Sequence, residues 1–178
     1  MFSSESHLRR RTGKYGTPRF EYLQQLIQEF QDTEDIESKR QIICNLANFA
    51  YDPINYGFFR ELNIFELFLD CLTEDNDDIK EFAIGGLCNG ICDLENMKVI
   101  SENIEIKDII RLLSSTNVNT VLHTITTLYY MLEEESLRPK LIKKNILHAM
   151  SNYKDCSNKA LSNLATIYLE KCEQYKNK

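Results

Sequence analysis

Tryptophan is absent from this chain, and the residues that break helices are scarce: 6 Gly and 3 Pro in 178 residues. Together they make up about 5% of the sequence, where an average domain holds about 12%. So few breakers leave room for long helices and exclude a sandwich or barrel built from many short strands and turns. Long apolar runs are missing too. No window approaches the ~18 uninterrupted apolar residues of a membrane span, and no apolar segment follows the N-terminus, which argues against a secretory leader. Catalytic signatures are also wanting. His7, His123 and His148 stand apart from any nucleophile or acid in a recognisable motif. Gly85-Gly86 lacks the Lys-Ser/Thr that completes a phosphate-binding loop. No enzyme activity, cofactor or small-molecule substrate is expected.

What is present suits one globular domain able to bury a sizeable core, with 43% apolar and 27% charged residues. The six cysteines, Cys44, Cys71, Cys88, Cys92, Cys156 and Cys172, lie inside helical apolar patterns. They read as reduced core residues of a nuclear or cytosolic protein. Cys88 and Cys92 share a helix face, but no second Cys/His pair with zinc-like spacing accompanies them, so no metal is expected.

The formal charge of −6 is unevenly spread. Residues 1–20 carry Arg9, Arg10, Arg11, Lys14 and Arg19 against Glu5 alone, a net of +4, which leaves −10 on the rest of the chain. Residues 1–18 lack apolar periodicity and are expected to form an unstructured basic arm. A helical domain should occupy 19–174 and a short tail 175–178. Arg9, Arg10, Arg11 and Lys14 are the candidate RNA contacts, or else a nuclear address or a solubilising tail, with a cleaved mitochondrial presequence a weaker alternative. The acidic body argues against the domain itself tracking a nucleic-acid backbone.

Self-comparison reveals a period. Asn55, Phe59, Asn63, Phe65, Phe68, Leu69 and Leu72 recur 41 residues later as Asn96, Ile100, Ile104, Ile106, Ile109, Ile110 and Leu113. A further shift of 41 gives Leu137, Leu141, Asn145, Leu147 and Met150. Between these passages lie amphipathic runs at Ser38–Tyr51, Asp77–Cys92 and Asn117–Leu132, and a fourth at Asn158–Glu170. An earlier run at Phe20–Gln31 precedes them. A period near 41 made of one long and two shorter helices is the signature of armadillo or HEAT-type repeats. The expected fold is all-α: a short right-handed solenoid of about 3.5 repeats with helical caps. Asn63 and Asn145 suit a left-handed turn between the two short helices, whereas Ile104 requires a different turn.

In such a solenoid the long helices line a groove. Helical spacing aligns Gln41, Asn45, Asn48 and Asp52 on the first, and Gly85, Asn89 and Asp93 on the second. Thr126, Tyr130 and Glu133 follow on the third, with Asn163, Thr166 and Glu170 on the last. Asn45, Asn89 and Asn163 read either as a ladder of amides able to pair with an extended peptide backbone, or as amides that bond to neighbouring helices and hold the superhelix together. The carboxylates beside them favour a basic partner segment. Gly86 and Gly90 suit close packing on a neighbouring helix, while Gly85 would leave space for an inserted side chain.

The blocks NLANFAYDPINY (Asn45–Tyr56), LFLDCL (Leu67–Leu72) and EFAIGGLCN (Glu81–Asn89) resemble a family of small nuclear armadillo-repeat proteins. VLHTITTLYYM (Val121–Met131) and LSNLATIYLEKC (Leu161–Cys172) extend the similarity over roughly residues 20–172. The resemblance implies a non-catalytic scaffold, nuclear with the cytoplasm as a second location. Its implied partner is an RNA-recognition-motif protein like RNA-binding motif protein 48, within a spliceosomal ribonucleoprotein. The implied process is splicing of minor-class (U12-type) introns near the 5′ end of the U6-type small nuclear RNA, with RNA met mainly through the partner. More distantly, the chain is similar to armadillo adaptors that carry basic nuclear-import signals. Those place a Trp one turn before each ladder Asn, where this chain has Gln41, Gly85, Thr126 and Lys159. A general peptide adaptor for basic segments and a direct RNA binder are the alternatives.

Overall fold

The computed structural model describes residues 2–176, and every regular element among them is helical. In chain order these are α1 (Glu5–Thr12), α2 (Arg19–Asp32), α3 (Ile36–Phe49), α4 (Tyr56–Glu61), α5 (Ile64–Cys71), α6 (Asp77–Gly90), α7 (Leu94–Asn103), α8 (Ile106–Leu112), α9 (Val118–Met131), α10 (Arg138–Leu141), α11 (Lys144–Lys154) and α12 (Lys159–Lys176), with a 3₁₀ turn at Pro53–Asn55. They form two compact units, Met1–Gly90 and Ile91–Lys178. No helix among the described residues is long and apolar enough to cross a membrane.

The long helices α3, α6, α9 and α12 begin at Ile36, Asp77, Val118 and Lys159, one every 41 residues. Their starts are fixed by side chains in the same register. Asp35 accepts from the Ser38 amide, Asn76 from Ile79, Asn117 from Asn119 and Thr120, and Asn158 from Ala160 and Leu161. An Asx side chain at this position satisfies amides that the first helical turn leaves unpaired. The two short helices of each repeat precede the long one: α4 and α5 before α6, α7 and α8 before α9, α10 and α11 before α12.

In the first unit α6 packs on α3 and α5, and α2 on α3. Phe59, Phe65 and Phe68 are wholly buried, with Phe59 lying 5.6 Å from Phe65 and 6.3 Å from Phe68, ring centre to ring centre. Burying such a side chain contributes about 1.5–3 kcal/mol. Gly86 and Gly90 of α6 make room for those rings, as their spacing suggests. A Cβ on Gly86 would stand 2.5 Å from Phe68, and one on Gly90 would collide with Phe65.

In the second unit α9 packs on α8 and α12, and α11 on α12. Ile100, Ile109, Leu141 and Met150, the repeats of Phe59 and Phe68, are all fully buried. Tyr168 is buried beside them and donates to the Leu141 carbonyl at 2.9 Å, so its hydroxyl is satisfied while burial pushes its pKa up.

The turns between short helices differ from one another. Asn63 adopts the left-handed region, with φ 54° and ψ 39°. Ile104 is extended, with φ −85° and ψ 135°, which is the different turn its β-branch demands. Asn145 corrects the expectation made for it. It lies inside α11, which starts from an extended Lys143, so no left-handed residue is used there.

Two terminal expectations also change. Within the supposedly unstructured residues 1–18, Glu5–Thr12 is helical. Ser4 accepts from the His7 amide, Glu5 sits in the first turn and Arg9, Arg10 and Arg11 in the last, charges that complement the helix dipole. At the other end, where a tail was expected over 175–178, α12 runs on through Lys176; residues 177–178 lie outside the described residues, as does Met1.

Candidate protein-interaction surfaces

The helix register decides which side chains are equivalent, and it corrects the asparagine ladder. Counted from the first residue of each helix, Asn45 is the tenth of α3, Asn89 the thirteenth of α6 and Asn163 the fifth of α12. They are not successive rungs. The thirteenth residues are Asn48, Asn89, Tyr130 and Lys171, all 41 apart. Alignment on Asn alone misled because the caps at 35, 76, 117 and 158, rather than the amides, set the register.

On the first unit, Gln41, Asn45 and Asn48 are exposed along α3, and Asp52 is half-buried just beyond its end. Gln41 donates to Glu37 at 2.9 Å. Asn89 is half-buried and works inside the unit: its side chain donates to the Ala47 carbonyl at 3.1 Å, and its own carbonyl accepts from Tyr56 at 3.0 Å. Gly85 is buried.

Asp52 ends the α3 segment as Pro53 requires and caps the following 3₁₀ turn through the Ile54 amide. Burial alone would raise its pKa, but hydrogen bonds from Ser3 and Ile54 and the nearby Arg19 charge outweigh that and hold it low. Arg19 in turn lies 4.2 Å from the Phe49 ring, and burial followed by repulsion from Arg11 lowers its pKa.

On the second unit, Asp93 is committed to capping α7, accepting from Glu95 and Asn96. Tyr130 stands edge-on to Tyr129, ring centres 5.7 Å apart. Glu133 is paired with Lys171 at 2.5 Å and accepts from the Tyr175 hydroxyl at 3.0 Å, while Arg138 stacks 4.2 Å from the Tyr175 ring. Asn163 is exposed on α12. The carboxylates of the anticipated acidic stripe are thus partly engaged by the protein itself. Lys171, Tyr175 and the Asx caps were missed from sequence; strict 41-residue counting from Asn48 and Asp35 would have found both Lys171 and the caps. Among the described residues no three His, Cys, Asp or Glu side chains gather as metal ligands do.

Three-helix units repeating every 41 residues, each long helix opened by an Asx cap, define an armadillo-type α-solenoid. Solved structures agree. A computationally designed armadillo repeat protein for modular peptide recognition matches at a TM-score of 0.74 and 15% identity, over 84% of this chain and 63% of that one. The chain therefore spans less than two thirds of that protein. A designed armadillo repeat protein in complex with the peptide (KR)4 matches at 0.70 and 15% identity, over 86% and 69% of the two chains. At these identities the likeness shows the fold alone.

No family model matches the sequence. It is, however, 42% identical over 153 residues to armadillo repeat-containing protein 7 of the mouse, Mus musculus, covering 85% of this chain and 77% of that protein. The chain belongs to the armadillo repeat-containing protein 7 family.

Proposed function

We propose that this chain is a non-catalytic scaffold of a splicing ribonucleoprotein in the nucleus. It pairs with an RNA-recognition-motif protein in minor-intron splicing, near the 5′ end of the U6-type small nuclear RNA. The observation that carries the reading is the family relationship, which spans 85% of the chain. The net −10 beyond residue 20 supports it, since such a body suits a basic protein segment better than an RNA backbone. Affinity purification of the tagged chain, with proteins and small RNAs read before and after nuclease, tests it. An RNA-recognition-motif protein retained after nuclease, with a minor-class U6-type RNA that is lost, supports the scaffold. Transport receptors or assorted basic cargo without splicing RNA would overturn it in favour of a general peptide adaptor.

A second reading has its own observation: α1 exposes Arg9, Arg10 and Arg11 together. Direct RNA contact through them and Lys14 predicts an affinity that falls steeply with salt. Absence of RNA binding by the isolated chain at low salt would remove this reading.

A further inference from the structure

The surface at the C-terminal end of α3 is already occupied. The Ser3 amide donates to Asp52 Oδ2 at 2.9 Å, across 49 residues of sequence. The Phe2 ring lies against Tyr51, with centres 5.7 Å apart. Leu8 and Arg11 of α1 border the same place, a cavity of about 230 Å³ that also reaches Asn48 and Asn55.

Asn55 marks this as more than a packing contact. It is 1% exposed, and its Nδ2 donates to the Phe49 carbonyl at 2.8 Å, yet its Oδ1 has no hydrogen-bond partner. A buried acceptor left unpaired is destabilising, and it calls for a donor that the N-terminal segment does not supply. That segment is lightly held. No residue of α1 is buried, and Phe2 keeps 60% of its surface exposed. A charge-assisted hydrogen bond and a ring contact hold its first residues, a combination that opens readily.

We propose that Asn48, Tyr51, Asp52 and Asn55 form a docking site for an extended segment of a partner protein, and that Phe2-Ser3 fills it in cis until the partner displaces it. The segment that fits presents an aromatic side chain to Tyr51, an adjacent backbone N–H to Asp52 and a further donor to Asn55 Oδ1. The site rests on the scaffold reading only for the existence of a partner. Because the cis segment is tethered, a competitor meets it at an effective concentration in the millimolar range. The surface is therefore selective for segments that use the third contact as well.

The test uses the full chain and a synthetic peptide of residues 1–12 as probe. In wild type the Ser3 amide should exchange at least ~10-fold more slowly than in the Tyr51→Ala or Asp52→Ala variant, read by NMR. Tyr51→Ala keeps the test sound, because Asp52→Ala also removes the cap on Ile54. A chain carrying Phe2→Ala and Ser3→Pro, which strips the ring and the N–H, should bind the peptide at least ~10-fold more tightly than wild type, and Tyr51→Ala should cancel the gain. Equal affinities, or an unprotected Ser3 amide, would overturn the proposal. Protection that grows with protein concentration alongside a dimer in sedimentation would overturn it too, by making a second copy the occupant. None of these readouts involves splicing components, so they stand or fall separately from the scaffold reading.

Discussion

Glu133 and Lys171 meet at 2.5 Å, from just past the end of α9 to the thirteenth residue of α12. The lysine side chain is only 11% exposed; its ammonium lies 3.9 Å from the Tyr129 ring centre and donates to the Tyr129 carbonyl at 3.3 Å. A position that carries an amide in α3 and α6 here carries a cation that cancels a neighbouring acid. The surface charge of the second unit is thereby different from what a count of carboxylates suggests.

The hydrogen bond from Lys171, aided by that from Tyr175, holds the Glu133 carboxyl below its ordinary value of 4.5, against the opposing effect of burial. A carboxylate with a depressed folded pKa stabilises the fold above the unfolded value, and that contribution disappears as pH falls through the folded value. Stability should therefore decline below about pH 4.5. The decline should be shallower in Glu133→Gln, as judged from urea midpoints measured through the acid range. Lys171→Met should lower stability by about 1 kcal/mol, or about 2–4 °C in melting temperature. An unchanged melting temperature would show that the pair contributes nothing.

Gly86 is the most demanding position in the first unit. Alanine there places a Cβ 2.5 Å from the buried Phe68 ring, closer than packed atoms tolerate. Gly86→Ala should destabilise by about 1–3 kcal/mol despite its better helix propensity. Pairing it with Phe68→Leu, which trims the ring, should recover part of the loss. Additive losses in a denaturant double-mutant cycle would contradict the contact.

Most of the fold was legible because apolar spacing and a strict period are local signals. The amphipathic runs at Ser38–Tyr51, Asp77–Cys92 and Asn117–Leu132 became α3, α6 and α9 to within two residues at either end. The surface was less legible. Whether a polar side chain faces a partner or bonds within the protein depends on contacts distant in sequence, such as Asn89 to Ala47 or Lys171 to Tyr129. Residues 1–18 escaped for a related reason: α1 buries nothing, so its helix leaves no apolar pattern to read.

The Asx caps offer an independent check on the repeat register. Asn117→Ala removes the acceptor for the Asn119 and Thr120 amides and should cost about 1 kcal/mol. Asn117→Asp keeps the acceptor and adds a negative charge at the positive end of α9, so it should be neutral or slightly stabilising. The same pair of substitutions at Asn76 and Asn158 should repeat the pattern in thermal melts. A cap whose removal is silent would mark a helix whose start is fixed by tertiary packing instead.

Thiol reactivity separates core from surface among the cysteines. The six were expected to be core residues, but they differ widely in burial. Cys71 and Cys172 are 1% exposed, whereas Cys92 is exposed. Burial pushes the Cys71 thiol up to about 12, so its thiolate is scarce at neutral pH as well as inaccessible. A native-state titration with a disulfide reagent should label Cys92 first, with half-buried Cys44, Cys88 and Cys156 following. Cys71 and Cys172 should react only as fast as the fold opens, and at the same rate as each other only if their two units unfold together. Cys92→Ser should remove the fast phase without shifting the melting temperature. A fast phase that survives that substitution would mean that another thiol opens to solvent in the native state.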